Sequence, residues 1–262
     1  MHKAFTLTEL LVTVTIVAIL GALSVGGVTK VLATARKTAE ISAGRTLAIA
    51  YLDHATDHDG QYLPGMDFRV TSLPDLPGAM AHTCQRYPFR LAPYFNNNLA
   101  VLLAGQNRAA IRAINNGSET GAMYDYLVSC FPSFGMNIHL IGGQVDALGR
   151  PTYPRDCLTT AAAGGRLNLI LFATAASTDG TTRVEGFNQI IPPAVAGWRA
   201  PARRTDAVNP GDVGNLDARY HGKALVIFLN GSVQELTLRE LQDMRLWCQA
   251  AADLDDPNYL PQ

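Results

Sequence analysis

Lys3-Ala4-Phe5-Thr6-Leu7-Thr8-Glu9-Leu10-Leu11, continuing as VTVTIVAILGALSVGGV to Val28, sets the character of this chain. From Leu10 to Val28 run 19 residues without a formal charge. As a helix they would span roughly 28 Å, close to the ~30 Å hydrocarbon core of a bilayer. The hydroxyls of Thr13, Thr15 and Ser24 can bond back to the preceding helical turn, so the run is insertable. Three readings compete. The segment is a secretory signal cut at the small-x-small site Ala22-Leu23-Ser24, a plain signal anchor, or a segment in which Glu9 has a task. A carboxylate inside a spanning helix is costly and is by default functional, with a partner to be named.

The rest of the chain narrows the class. Its 262 residues are 48% hydrophobic and 16% charged, which excludes a disordered chain. One spanning-length run excludes a many-span membrane protein. With 21 basic against 22 acidic residues there is no basic field for nucleic acid, and none is expected as a partner. The chain has no phosphate-binding Gly-rich loop ending in Lys-Ser/Thr, no HExxH and no CxxC pair. Cys84, Cys130, Cys157 and Cys248 are widely spaced; outside the cytoplasm they allow up to two disulfides in three connectivities, or buried free thiols.

No proline occurs before Pro64, and Val28, Leu32, Ala35, Ala39, Ala43, Leu47 and Ala50 recur at helical steps. This predicts one helix from about Phe5 to Asp57, with Arg36, Lys37, Glu40 and Arg45 off the apolar stripe. Residues 5–29 are its membrane-spanning part and 30–57 its amphipathic continuation, laid against a head of residues 58–262. Gly21, Gly26 and Gly27 mark either a bend or small-residue helix packing. Asp57-His58-Asp59-Gly60 ends the helix, with Pro64 barring resumption. His54, Asp57, His58 and Asp59 are read as a polar helix end in preference to a metal site.

In the head, residues 65–98 read as irregular connection, Leu99–Asn115 and Glu119–Val128 as helices. Phe134–Ile141, Leu167–Thr174, Thr182–Ile191 and Lys223–Leu229 read as strands, the last turning through Asn230-Gly231 into Ser232–Leu236. Thr237-Leu-Arg-Glu240 is a capping box and predicts a final helix over about Leu238–Ala251. The fold class expected is α+β: a long N-terminal helix packed on a small antiparallel sheet.

Lys3 to Leu11 resembles the prepilin-type signal of type IV pilins and type II secretion pseudopilins. The elements are a short basic leader, a small residue, Phe, a hydroxyl residue, Leu and Glu at fixed spacing, then the apolar run. Ala4 stands where that family usually has Gly. The resemblance implies a leader of residues 1–4, cleavage between Ala4 and Phe5 by a prepilin peptidase, and N-methylation of Phe5. It implies Glu9 meeting the Phe5 amine of a neighbouring subunit, so that a wrong register strands a charge in low dielectric. It further implies a single-pass protein of the bacterial inner membrane, with cytoplasmic N-terminus and extracytoplasmic head. The protein would join other pilin subunits on an inner-membrane assembly platform as a structural, non-enzymatic filament component. Counting Lys3 against Lys30, Arg36 and Lys37 opposes that orientation by number, and the leader motif is followed here.

Arg219-Tyr220-His221-Gly222 through Asn230-Gly231 also resembles the tail of large pseudopilin-like proteins, with Asn where an Asp is usual. The loop Thr205–Asp217 carries Asp206, Asp212 and Asp217, hard oxygen ligands that would suit the calcium ion of major pseudopilins, or a solvated acidic loop. No other cofactor is expected. His221 near Asp217 is read as a turn histidine, since no motif places a nucleophile. The rival from another class is a membrane-tethered or secreted binding module, for example for polysaccharide. A tethered hydrolase has no motif behind it.

Overall fold

A computed structural model describes residues 6–161, 168–179, 182–198 and 209–262, with no side-chain description at 20–30, 179 and 182. Helix α1 runs Leu7–Asp57, 51 residues, as the unbroken periodicity predicts. It ends where Asp59 and Gly60 take positive φ (52° and 79°) and the Gly60 N–H returns to the Ala55 carbonyl at 2.7 Å. Two compact units divide the chain, Met1–Ala39 and Glu40–Gln262, so the second begins inside α1.

In the first unit the apolar side chains of α1 are bare: Leu7 is 84% exposed, Val17 68% and Val31 68%. Among the described residues no helix is long and apolar enough to cross a membrane. Much of the apolar run, Leu20 to Val28, has no described side chains. The spanning role of residues 5–29 therefore rests on the sequence.

The second unit is built on a four-stranded antiparallel sheet of β2 (Phe134–Met136), β4 (Ile170–Thr174), β7 (Lys223–Phe228) and β8 (Val233–Thr237), in that spatial order. Register is set by Met136↔Phe172, Ala173↔Val226 and Ile227↔Val233. Alternation along β7 sorts its side chains. Leu225, Ile227 and Leu229 join Leu47, Tyr51 and Phe134 in one core; Ala224, Val226 and Phe228 join Leu241, Met244 and Trp247 in a second. Both faces are covered, which is why β7 reads as a continuous apolar run.

The remaining elements are short. A parallel pair, β1 (Met66–Asp67) and β3 (Gln144–Val145), and a hairpin, β5 (Ala176–Asp179) and β6 (Thr182–Glu185), flank the sheet in sequence. The helices are α2 (Ala81–Gln85), α3 (Tyr87–Leu91), α4 (Asn107–Ile114), α5 (Ala122–Cys130), α6 (Pro193–Ala196) and α7 (Gln249–Asp253).

Several expected elements are shorter than the sequence suggests. The helix expected from Leu99 begins only at Asn107, because the Asn98 side chain accepts the Ala100 N–H at 3.1 Å and holds a turn before it. The strand from Phe134 stops at Met136; beyond it the buried Asn137 side chain donates to the Ile170 and Trp247 carbonyls at 3.0 and 3.4 Å. The strand from Thr182 stops at Glu185, where Gly186 takes φ 94°.

The final helix is the clearest miss. The capping box does form: the Thr237 N–H reaches Glu240 Oε2 at 2.7 Å and the Glu240 N–H reaches Thr237 Oγ1 at 3.3 Å. Yet only 3-10 turns follow, at Glu240–Gln242 and Met244–Leu246, before α7. Asp243 sits extended between them and its carboxylate accepts the Arg245 N–H at 3.0 Å, starting a new turn. The broken path buries Leu241, Met244 and Trp247 against the sheet, and tertiary packing overrides the local signal.

Asn230-Gly231 does make the hairpin. The loop is Leu229-Asn230-Gly231, closed by the Phe228 N–H to the Ser232 carbonyl at 2.9 Å, with Gly231 at φ 78°.

Candidate functional site

The N-terminal site begins at Thr6. Its N–H and hydroxyl both donate to Glu9 Oε2, at 2.9 and 2.7 Å, and its Oγ1 receives the Glu9 N–H at 3.3 Å. This is a capping box on the first turn of α1. It satisfies amides that a helix start leaves without partners. Glu9 thus has a local partner in the single subunit. The same Thr-x-x-Glu signal that marks Thr237 was available in the sequence at Thr6. Ala4 and Phe5, the expected cleavage and methylation residues, lie outside the described residues.

The second site lies where the head unit opens. Glu40, expected to point away from the packed face of α1, is 1% exposed. The buried face of the helix runs Glu40, Ala43, Gly44, Leu47, Ala48, Ala50, Tyr51, His54 and Ala55, while Leu32, Ala35 and Ala39 of the expected stripe are exposed. Glu40 Oε1 lies 3.1 Å from Arg219 Nη1. The same guanidinium meets Glu185 Oε2 at 3.3 Å and Asp217 Oδ2 at 2.9 Å, and donates to the Ala175 carbonyl at 2.8 Å. Arg183 pairs with the other Asp217 oxygen.

Burial pushes the Glu40 carboxyl above its ordinary value, opposed by the Arg219 charge and by a hydrogen bond from Tyr220. Burial also works against the Arg219 charge, but Asp217, Glu40 and Glu185 outweigh it and hold the guanidinium protonated. Three carboxylates meet two arginines, with Glu40, Asp217 and Arg219 buried at the centre and Glu185 and Arg183 reaching the surface. Gly105 lies against this cluster: a β-carbon there would meet Glu40 Oε1 at 2.6 Å.

One turn further along α1, Gly44 brings the helix backbone onto the sheet. A β-carbon there would sit 2.6 Å from Ile227 Cγ1. Nothing in the spacing of apolar residues marks Gly44 or pairs Glu40 with Arg219. That pairing joins residues 179 apart in sequence.

Asp206 lies outside the described residues, and Asp212 is half-buried in the 3-10 turn Pro210–Val213. Asp217 is 1% exposed and committed to Arg183 and Arg219. Among the described residues no group of three His, Cys, Asp or Glu could hold a metal. His221 is exposed at φ 53° in the tight turn Tyr220–Lys223. His54 and His58 stack at 4.0 Å between ring centres. All four cysteines are free and buried.

Residues 1–25 match the prokaryotic N-terminal methylation motif. Comparison with curated proteins and with solved structures gives no significant match. Over those first residues, then, the chain carries the signature of type IV pilins and pseudopilins.

Proposed function

We propose that this protein is a structural subunit of a type II secretion pseudopilus or type IV pilus-like filament, cut by prepilin peptidase before Phe5 and methylated there. The observation that carries the reading is the motif at residues 1–25, with Glu9 at its fixed spacing. Three further features agree. The apolar run Leu10–Val28 is long enough to wait in the inner membrane. The described apolar side chains of the first unit are exposed in the single chain, a surface that lipid or neighbouring helices would cover. The Glu40–Arg219 tie anchors α1 within the head at the point where the head unit begins.

The mechanism is mechanical. Assembly on an inner-membrane platform moves an apolar helix from lipid into a bundle of identical or related helices. Before assembly Glu9 is held by Thr6. On docking, the carboxylate exchanges that cap for the Phe5 amine of a neighbour, and only the right register leaves neither charge bare.

Glu9→Ala separates the steps. Processing should continue, because the peptidase acts at Ala4–Phe5, while incorporation into sheared filaments should drop at least about tenfold, the effect of ~1.4 kcal/mol at each docking. Normal incorporation of Glu9→Ala would remove the register role.

A further inference from the structure

The head holds a cleft of about 700 Å³ that the filament reading does not use. Its walls come from the end of α1, the segment 61–76, α3 with the turn after it, and strand β3. They are mostly apolar, with Tyr62, Phe89, Tyr94 and Tyr153 supplying aromatic faces and Leu73 and Leu76 aliphatic ones. The volume is that of a small-molecule site.

Of the two arginines in this lining, Arg69 is paired with Asp67 and Arg90 has no carboxylate partner among the described residues. Arg90 of α3 donates to two backbone carbonyls, Pro64 and Arg86. Asp67, the acid that acts most on it, gives Oδ1 and Oδ2 to Arg69 at 2.9 and 2.7 Å. A half-buried guanidinium without an acid is under-neutralised, and a bound anion would relieve it.

His54 adds a second polar group without a partner. It lines the cleft, is 9% exposed, and its Nδ1 makes no hydrogen bond. Burial and the neighbouring His58 and Arg90 charges hold its pKa at about 4, so it is neutral near pH 7. Two further acids line the cleft. Asp75 is exposed at its edge; Asp125 is half-buried, and burial raises its carboxyl above the ordinary value. Arg90 is the cation of the lining that a ligand carboxylate can reach without displacing a protein acid.

We propose that this cleft is a binding site for small aromatic carboxylic acids, with the carboxylate on the Arg90 guanidinium and the ring among Tyr62, Phe89, Tyr94 and Tyr153. Every lining residue belongs to the unit Glu40–Gln262 and none to the N-terminal motif.

The test uses the full-length protein in detergent and two probes of one shape, 2-naphthoate and its neutral isostere 2-naphthamide, titrated calorimetrically. Naphthoate should saturate one site and bind at least about tenfold tighter than the amide, the range expected of a charge-assisted pair. Arg90→Gln should erase the preference. Val70→Trp, which fills the half-buried wall without touching Arg90, should abolish binding of both probes. Equal affinity for acid and amide, binding retained by Val70→Trp, or no saturable binding of naphthoate at millimolar concentration would each overturn the proposal.

Discussion

Glu40, where the head unit begins on α1, and Arg219, just before strand β7, stand 3.1 Å apart although 179 residues separate them. The contact ties the first residue of the head unit to the segment that leads into β7. Arg219 also neutralises Asp217 and Glu185, so removing it leaves the buried Glu40 without a cation and Asp217 with Arg183 alone. Arg219→Met should therefore cost about 3–5 kcal/mol in urea unfolding of the head transition. Glu40→Gln leaves Arg219 its other two acids and should cost clearly less. Equal losses for the two variants would contradict a network centred on the arginine.

The approach of α1 to the sheet at Gly44 makes a steric prediction. Gly44→Ala gains about 1 kcal/mol of helix propensity but places a methyl 2.6 Å from Ile227 Cγ1. Overpacking of this kind costs about 1–3 kcal/mol, so the net effect should be a loss of stability. Combining it with Ile227→Ala should be less damaging than the sum of the single changes, a coupling that a double-mutant cycle measures.

His54 gives the head a pH dependence whose sign follows from burial. Its folded pKa, about 4, lies below the ordinary 6.5, so the unfolded chain binds the proton more readily. The stability contribution is whole above pH 6.5 and falls away as pH drops from 6.5 toward 4. The shift corresponds to a loss on the order of 2–3 kcal/mol across that window. Thermal melts between pH 7 and 4 should show a steeper decline for the wild type than for His54→Gln. Parallel declines would show that His54 is not the group responsible.

What the sequence made legible was whatever depends on local signals. Unbroken periodicity without proline gave the whole of α1, Asp59-Gly60 its end, and Asn230-Gly231 the β7–β8 hairpin. Thr237 and Glu240 formed their capping box and still no long helix followed, because Trp247 and Met244 had to reach the sheet. Local chemistry cannot report that demand. Glu40 was placed on the wet side because charge argues for exposure, and only the distant Arg219 makes its burial tolerable. The cleft has the same origin. Arg90, His54 and Tyr153 lie on separate elements, and nothing along the chain announces that they share a wall.

The cap between Thr6 and Glu9 makes a prediction for biogenesis. Thr6→Val removes the hydroxyl that holds Glu9 Oε2 at 2.7 Å, while its N–H remains. Loss of an N-cap hydroxyl costs about 1 kcal/mol of helix start. Filament yield should fall in this variant by less than in Glu9→Ala, because the carboxylate is still present for a neighbour. A defect equal to that of Glu9→Ala would place the cap, and not the subunit contact, at the centre of assembly.

The processing of the N-terminus is the most direct test of all. Intact-mass and N-terminal peptide spectra of the protein from membranes of a host with an active prepilin peptidase should show a chain that starts at Phe5 and carries one added methyl group on its amine. A chain that still begins at Met1, or one cut within the apolar run so that it begins at Val25, would contradict the filament account.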